Sequence, residues 1–192
     1  MYEPLPRAFY ARDTLEVARE LLGKLLIRVI DGIVLSGIIV ETEAYKDSID
    51  EASHAYKGIS KRNMLMFGEV GHAYIYLIYG NHYCLNAVAR DSDSRAGAVL
   101  IRALEPVDGI ETMHRLSRYD DRVASGPGRL TRALMISKEH NGLDLTVVGS
   151  LYIAYYMDIS SDSIISTQRI GITKAKDRLW RFIIKGNRYV SR

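Results

Sequence analysis

The chain has 192 residues, 47% hydrophobic and 26% charged with a net charge of +3, a balance that suits a soluble globular protein able to bury a core. A lone cysteine, Cys84, excludes an intramolecular disulfide, and without a CxxC or Cys/His cluster no structural metal and no cofactor is expected. No apolar run approaches the ~18 residues needed to cross a bilayer, and Met1-Tyr2-Glu3-Pro4 lacks the charged-then-apolar pattern of a signal peptide, so an intracellular protein is expected.

In chain order, Asp13-Thr14-Leu15-Glu16 begins a helix with Asp13 as N-cap. Its apolar face is Leu15, Ala18, Leu21 and Leu22, and Gly23 ends it. Two Ile/Leu/Val-rich runs, 24–30 and 33–40, flank Asp31-Gly32, a strong two-residue hairpin signal. The second of these strands runs on into Glu41-Thr42-Glu43-Ala44-Tyr45. Residues 46–71 read as a long, partly helical connection, followed by a hairpin of 72–79 and 82–89 turning at Gly80-Asn81. A loop at 91–97 leads to a strand at 98–104, a helix over about 107–118 and a second helix after Ser125-Gly126-Pro127-Gly128. The last third alternates strands near 151–156, 168–172 and 181–185 with one helical turn. No repeat or linker interrupts this pattern, which predicts a single α+β domain over residues 1–192 built on antiparallel strands.

Four segments could carry chemistry. Glu41, Glu43 and Tyr45 share one face of an extended segment, which suits acid/base work beside a stacking platform. A solvated strand end explains the same spacing. The hairpin around Gly80-Asn81 holds Tyr74, Tyr76, Tyr79, His82 and Tyr83; ordinary sheet packing accounts for Tyr74 and Tyr83. It accounts less well for Tyr79 at the tip, where a rigid ring can wedge into a base stack. Arg102 interrupts the apolar run 98–104 and, if buried, needs an acidic partner, catalytic or structural. Gly126-Pro127-Gly128 opens a helix and is either a plain helix start or a phosphate site. Basic clusters at Lys61-Arg62, Arg115/Arg118/Arg122, Arg129/Arg132 and the 174–192 tail permit a nucleic-acid partner, though each also reads as a solvated face.

Read in register, these segments resemble the alkyladenine (3-methylpurine) DNA glycosylase family. The matching strings are Leu5-Pro6-Arg7-Ala8-Phe9-Tyr10, Val40-Glu41-Thr42-Glu43-Ala44-Tyr45, Glu51-Ala52-Ser53-His54 and Tyr74-Ile75-Tyr76-Leu77-Ile78-Tyr79-Gly80. Further on come Cys84-Leu85-Asn86, Leu100-Ile101-Arg102-Ala103-Leu104-Glu105-Pro106, Gly126-Pro127-Gly128 and Arg181-Phe182, so the resemblance covers nearly the whole chain. It departs at Glu69-Val70, where a proline is common, and at Asn81, where an apolar residue is usual.

The resemblance implies a curved antiparallel sheet with flanking helices and a protruding hairpin. It implies Glu43 as general base, with Arg102 positioning that carboxylate and its water. Tyr45, His54 and Tyr76 would sandwich a flipped base, His54 and the Ala44 backbone would contact its edge, and Asn86 would reject the amine of guanine. Tyr79 would fill the gap left in the duplex. The implied partner is duplex DNA containing damaged purines, bound by a monomer without metal or membrane. No lysine nucleophile lies in the matched strings, which favours hydrolysis to an abasic site over lyase chemistry. One geometric tension stands: a flat two-residue turn at Gly80-Asn81 pairs Ile75 with Asn86 and puts Asn86 on the face opposite Tyr76. Two other classes fit the residues themselves: a carboxylate-pair glycosidase or nucleosidase using Glu41 and Glu43, and a non-catalytic module whose tyrosines stack bases.

Overall fold

A computed structural model describes residues 2–78, 80–118 and 121–191. Its eight strands are β1 (Leu25–Ile30), β2 (Ile33–Tyr45), β3 (Ala73–Ile78), β4 (His82–Val88), β5 (Ala98–Asp108), β6 (Leu151–Ala154), β7 (Ile164–Thr167) and β8 (Arg181–Ile184). They form one antiparallel sheet in the order β3-β4-β5-β2-β1-β6, with β8 pairing β2 and β7, curled into a half-barrel of α+β type. Four short helices flank it: α1 (Arg7–Tyr10), α2 (Thr14–Glu20), α3 (Ile110–Ser117) and α4 (Pro127–Ala133).

Local chemistry accounts for several elements. The Asp13 side chain accepts from the Leu15 amide and caps α2. Asp31 and Gly32, at φ 49 and 80, make the mirror-image turn that joins β1 to β2 and pairs Ile30 with Ile33. Lacking a Cβ, Gly32 reaches this region freely, and Asp tolerates it better than most residues.

Strand β2 is the central element, and its register carries the functional consequence. On one edge it pairs with β5, on the other with β1 along its first half and β8 along Glu41–Glu43. The β2–β5 ladder pairs Ile39 with Leu104, Glu41 with Ala103 and Thr42 with Ile101, so Val40 and then Arg102 are left over as bulged residues. Each bulge reverses the in/out alternation on its own strand. Ile39 and Ala44, of opposite parity, therefore both reach the main core, as do Ile101 and Leu104. Thr42, Ala44, Val99, Ile101 and Ala87 face helices α2 and α4. Glu41, Glu43, Tyr45, Leu100 and Arg102 are turned to the other side of the sheet.

Three sequence expectations are corrected. The β3–β4 register pairs Ile78 with His82, so three residues rather than the two of Gly80-Asn81 separate the innermost pair. The shift pairs Tyr74 with Asn86 and Tyr76 with Cys84, putting Asn86 on the same face as both tyrosines and removing the tension. Pairing of β4 with β5 covers only Asn86–Val88, so the distal half of the hairpin projects beyond the sheet. Second, 168–172 is not a strand; the ladder lies at 164–167, and the expected strand segment is irregular chain. Third, β5 runs on to Asp108 through Pro106, which shortens the expected helix over 107–118 to 110–117, and α4 begins at Pro127 rather than after Gly128. Gly126 sits at φ 104, and Gly128 abuts the His82 ring, whose atoms stand 3.0 Å from where a Cβ would be. The Gly-Pro-Gly string thus packs α4 against the hairpin. No described helix is long and apolar enough to cross a membrane.

Candidate active site

Glu41 and Glu43 do not form a solvated strand end. Because β5 and β8 flank this stretch of β2, both carboxylates are wholly buried, with relative exposures of 0%. A buried carboxylate must find donors for its oxygens, and the two find them differently.

The Glu41 carboxylate is the more heavily bonded. Its Oε1 accepts from Arg102 Nε at 2.9 Å, Arg181 Nε at 2.7 Å and Ser191 Oγ at 2.8 Å. Its Oε2 accepts from the Ser191 amide at 2.7 Å. Four donors thus converge on Glu41, three of them crowded on Oε1. Glu43 is held more sparingly: Oε1 accepts from the Ile170 amide at 2.8 Å, and Oε2 from the Tyr45 hydroxyl at 2.7 Å. Arg102 Nη1 stands 3.4 Å from Oε1, an ion pair without a close hydrogen bond. Acceptor capacity remains on Glu43.

The charges reinforce one another. Burial works against the charge on Arg102, but Glu43 and Glu41 outweigh it and hold the guanidinium above its ordinary pKa. Burial, with the adjacent Glu43 charge, raises the Tyr45 phenol well above its ordinary value, so it stays protonated and donates to Glu43.

Beside this pair opens a cavity of about 350 Å³, walled by Tyr45, His54, Tyr76, Asn86, Arg102 and the 170–172 segment. His54 meets the Tyr76 ring edge-on, with centroids 4.6 Å apart, and its Nδ1 lies 2.8 Å from the Tyr74 hydroxyl. Burial, helped by the nearby Arg62 guanidinium, holds His54 below its ordinary pKa, so the ring is neutral at pH 7. Asn86 donates its amide N–H to the carbonyl of its cross-strand neighbour Tyr74 at 2.9 Å. Burial pushes the Cys84 thiol, also on the wall, up to about 11, which leaves it a poor nucleophile. Arg62, exposed at the rim, places its guanidinium 5.6 Å from the centroid of the Tyr76 ring.

The structure thus brings Tyr45, His54, Tyr76, Asn86 and Arg102 to one cavity, with Glu43 buried behind its wall against Tyr45, Ile170 and Arg102. Ala44 lies beneath its floor: the amide donates to the Trp180 carbonyl, and its own carbonyl accepts from Arg169 at 2.9 Å. Tyr79 lies outside the described residues.

Several parts of the site carry weak sequence signals. Arg169 forms a two-pronged ion pair with Asp50, at 2.6 and 2.7 Å, with both side chains fully buried. Its guanidinium lies over the rings of Tyr45, at 4.7 Å, and Trp180, at 5.2 Å, and so backs the Tyr45 wall. Its neighbour Ile170 supplies the amide that pins Glu43. Asn63, buried, ties the loop that carries His54: its Nδ2 donates to the carbonyls of His54 and Gly58, and its Oδ1 accepts from the Ser60 amide. Polar residues in loops are too common to be singled out by sequence. Arg181, in contrast, lies in a matched string.

The model of the family described as methylpurine-DNA glycosylase (MPG) matches residues 8–188. Curated relatives that are provisionally named 3-methyladenine DNA glycosylase align along nearly the full length. One from Carboxydothermus hydrogenoformans is 50% identical over 190 residues, covering 98% of each chain. Another from Methanoculleus marisnigri is 48% identical over 193 residues, again covering 98% of each. A third, from Rhodopseudomonas palustris, is 46% identical and covers 98% of this chain and 90% of its own. A match of this extent leaves one assignment: this chain belongs to the methylpurine-DNA glycosylase family.

Proposed function

We propose that this chain is a monofunctional DNA glycosylase that flips alkylated or deaminated purines, such as 3-methyladenine, 7-methylguanine and hypoxanthine, out of duplex DNA. It then hydrolyses the N-glycosidic bond and leaves an abasic site for base excision repair. The observation that carries this reading is Glu43: a buried carboxylate with acceptor capacity to spare, oriented by two hydrogen bonds and Arg102 beside an aromatic-walled cavity.

In this mechanism the extruded purine enters between Tyr45 on one side and Tyr76 with His54 on the other, stacking worth ~1–3 kcal/mol per aromatic contact. That stacking offsets part of the few kcal/mol needed to unpair and unstack the nucleotide, a cost lower for damaged or mispaired bases. Tyr79 fills the gap left in the duplex. Asn86 lines the approach to the base edge and disfavours the exocyclic amine of guanine. As the glycosidic bond lengthens, anionic Glu43 stabilises the oxocarbenium-like sugar and takes the proton of the attacking water. Arg102 holds both in place.

Burial holds Tyr45, Tyr74, Tyr76 and Cys84 protonated and His54 neutral, so none of these five lining groups is poised to donate a proton at pH 7. Bases that leave as good leaving groups, such as cationic alkylpurines, are the substrates best matched to this lining. The enzyme acts as a monomer on duplex DNA and is DNA-associated in the cell.

A glycosidase mechanism on the Glu41–Glu43 pair needs two carboxylates free to exchange protons or bonds with substrate, and the full burial of Glu41 under four donors argues against it. A purely binding module gains nothing from a buried, oriented carboxylate beside its stacking platform. The deciding experiment is single-turnover release of 7-methylguanine from a duplex oligonucleotide by Glu43→Gln. Loss of general-base catalysis lowers the rate by roughly 10²–10⁴-fold, while affinity for duplex containing an abasic-site analogue survives. Near-normal turnover by this variant would overturn the assignment.

A further inference from the structure

Arg102 is almost wholly buried and has two carboxylates within reach, yet it does not treat them alike. It makes a close hydrogen bond to Glu41, at 2.9 Å through Nε, and stays 3.4 Å from Glu43 through Nη1. In a low-dielectric site a guanidinium pairs as closely as it can with the nearest free anion, usually through two parallel hydrogen bonds. Such a clasp on Glu43 would occupy the lone pairs that the proposed reaction needs for water. With Nε engaged by Glu41, the side-on clasp through Nε is closed to Glu43.

Glu41 in turn is fixed from the far end of the chain. Ser191 supplies two of its four hydrogen bonds, one from the backbone amide and one from Oγ. Arg181 supplies a third and ties the same turn down by donating from Nη2 to the Ser191 carbonyl at 3.0 Å. Ser191 Oγ also lies 3.4 Å from Arg102 Nη2. The C-terminal segment therefore ties down Glu41 and makes no hydrogen bond to Glu43 among the described residues.

We propose that Glu41 is a positioning residue that holds Arg102 back from the base Glu43, and that the C-terminal turn at Ser191 is part of the catalytic apparatus because it locks Glu41. The proposal rests on the reading of Glu43 as the base. Atoms of Glu41 and Ser191 take no part in bond-making; their effect reaches the reaction through Arg102. It also explains the double bulge: Arg102 is the residue left over in the β5 register, which frees its side chain to lie between the two carboxylates.

The test uses the full chain, and its mildest variant is Ser191→Ala, which removes one hydroxyl near the chain end and keeps the amide bond to Glu41. Measured are the single-turnover rate of 7-methylguanine release at saturating enzyme and the Kd for duplex carrying an abasic-site analogue. The expected result is a rate lowered roughly tenfold, the scale of one lost hydrogen bond to a charged group, with Kd unchanged within about twofold. Ser191→Thr, which restores a hydroxyl, recovers most of the lost rate. Glu41→Gln, where it folds, lowers the rate further at similar Kd.

A Ser191→Ala rate equal to that of the native enzyme overturns the proposal. So does a loss of rate that merely tracks weaker DNA binding or lower melting temperature, since that marks a structural role only. Failure of the parallel Glu43→Gln measurement to abolish release would instead sink the assignment of the base, and the two failures are read from different variants.

Discussion

On one face of β2 and β5, Thr42, Ala44, Val99 and Ile101 are sealed against helices and other strands, and the only polar group among these side chains, the Thr42 hydroxyl, donates to the Ala18 carbonyl at 2.7 Å. On the other face of the same strands, Glu41, Glu43 and Arg102 are buried almost as completely, but as charges held by donors from Ile170, Arg181 and Ser191. The apolar face needs only volume and is tolerant of which distant segment supplies it. The charged face needs particular atoms at hydrogen-bond distance, because each unpaired ion there costs several kcal/mol. One face is a foundation; the other is an instrument mounted on it. The comparison teaches that stability and chemistry are separated here by the thickness of a single sheet.

The sharpest way to break this contrast is on the charged side. Asp50→Asn leaves the Arg169 guanidinium buried without its counter-ion and is expected to destabilise the fold by about 3–5 kcal/mol, read as a shift in denaturant midpoint. The same variant should also slow base release per folded molecule, because Arg169 backs Tyr45 and its neighbour pins Glu43. Base release at the native rate would show that this pair serves the fold alone.

On the apolar side, Ile101→Ala should cost about 2–5 kcal/mol through lost burial and a residual cavity. Below its unfolding transition it should release base within about twofold of the native rate, as expected of a residue that touches no reacting group. A large catalytic loss in a folded Ile101→Ala protein would dissolve the division between the two faces.

The smallest effect concerns pH. Burial holds both His54 and His140 below their ordinary value. The unfolded chain therefore takes up these protons first, near about pH 6.5. The sign follows: stability is fully present above that value and declines as pH falls through 6.5 toward the folded-state pKa of each ring. Melting temperature should be lower at pH 5.5 than at 7.5, and His54→Gln should narrow the gap. A melting temperature that rises on acidification would contradict the assignment of neutral buried rings.

Much of the fold was legible wherever a local rule decided it. Asp13 caps its helix and Asp31-Gly32 turns its hairpin because both depend on dihedrals and hydrogen bonds within a few residues. The Ile78–His82 pairing escaped the same logic, since Gly80-Asn81 satisfies a two-residue pattern while the register of the whole ladder pairs Tyr74 with Asn86. The expected strand at 168–172 failed for a related reason: Ile170 and Ile172 look strand-like by composition, yet their segment is held by contacts to Glu43 and the cavity.

The sequence by itself determined the α+β class, the cap and first hairpin, and, through strings that agree in order along the chain, the family and the set of candidate residues. Only the tertiary structure decided that Glu41 and Glu43, two residues apart and equally buried, are unequal. The groups that distinguish them, Ile170 and Ser191, stand 127 and 150 residues away along the chain. Spacing on a strand fixes which side chains share a face; which of them is left with a lone pair to spare is fixed by donors that arrive from elsewhere in the fold.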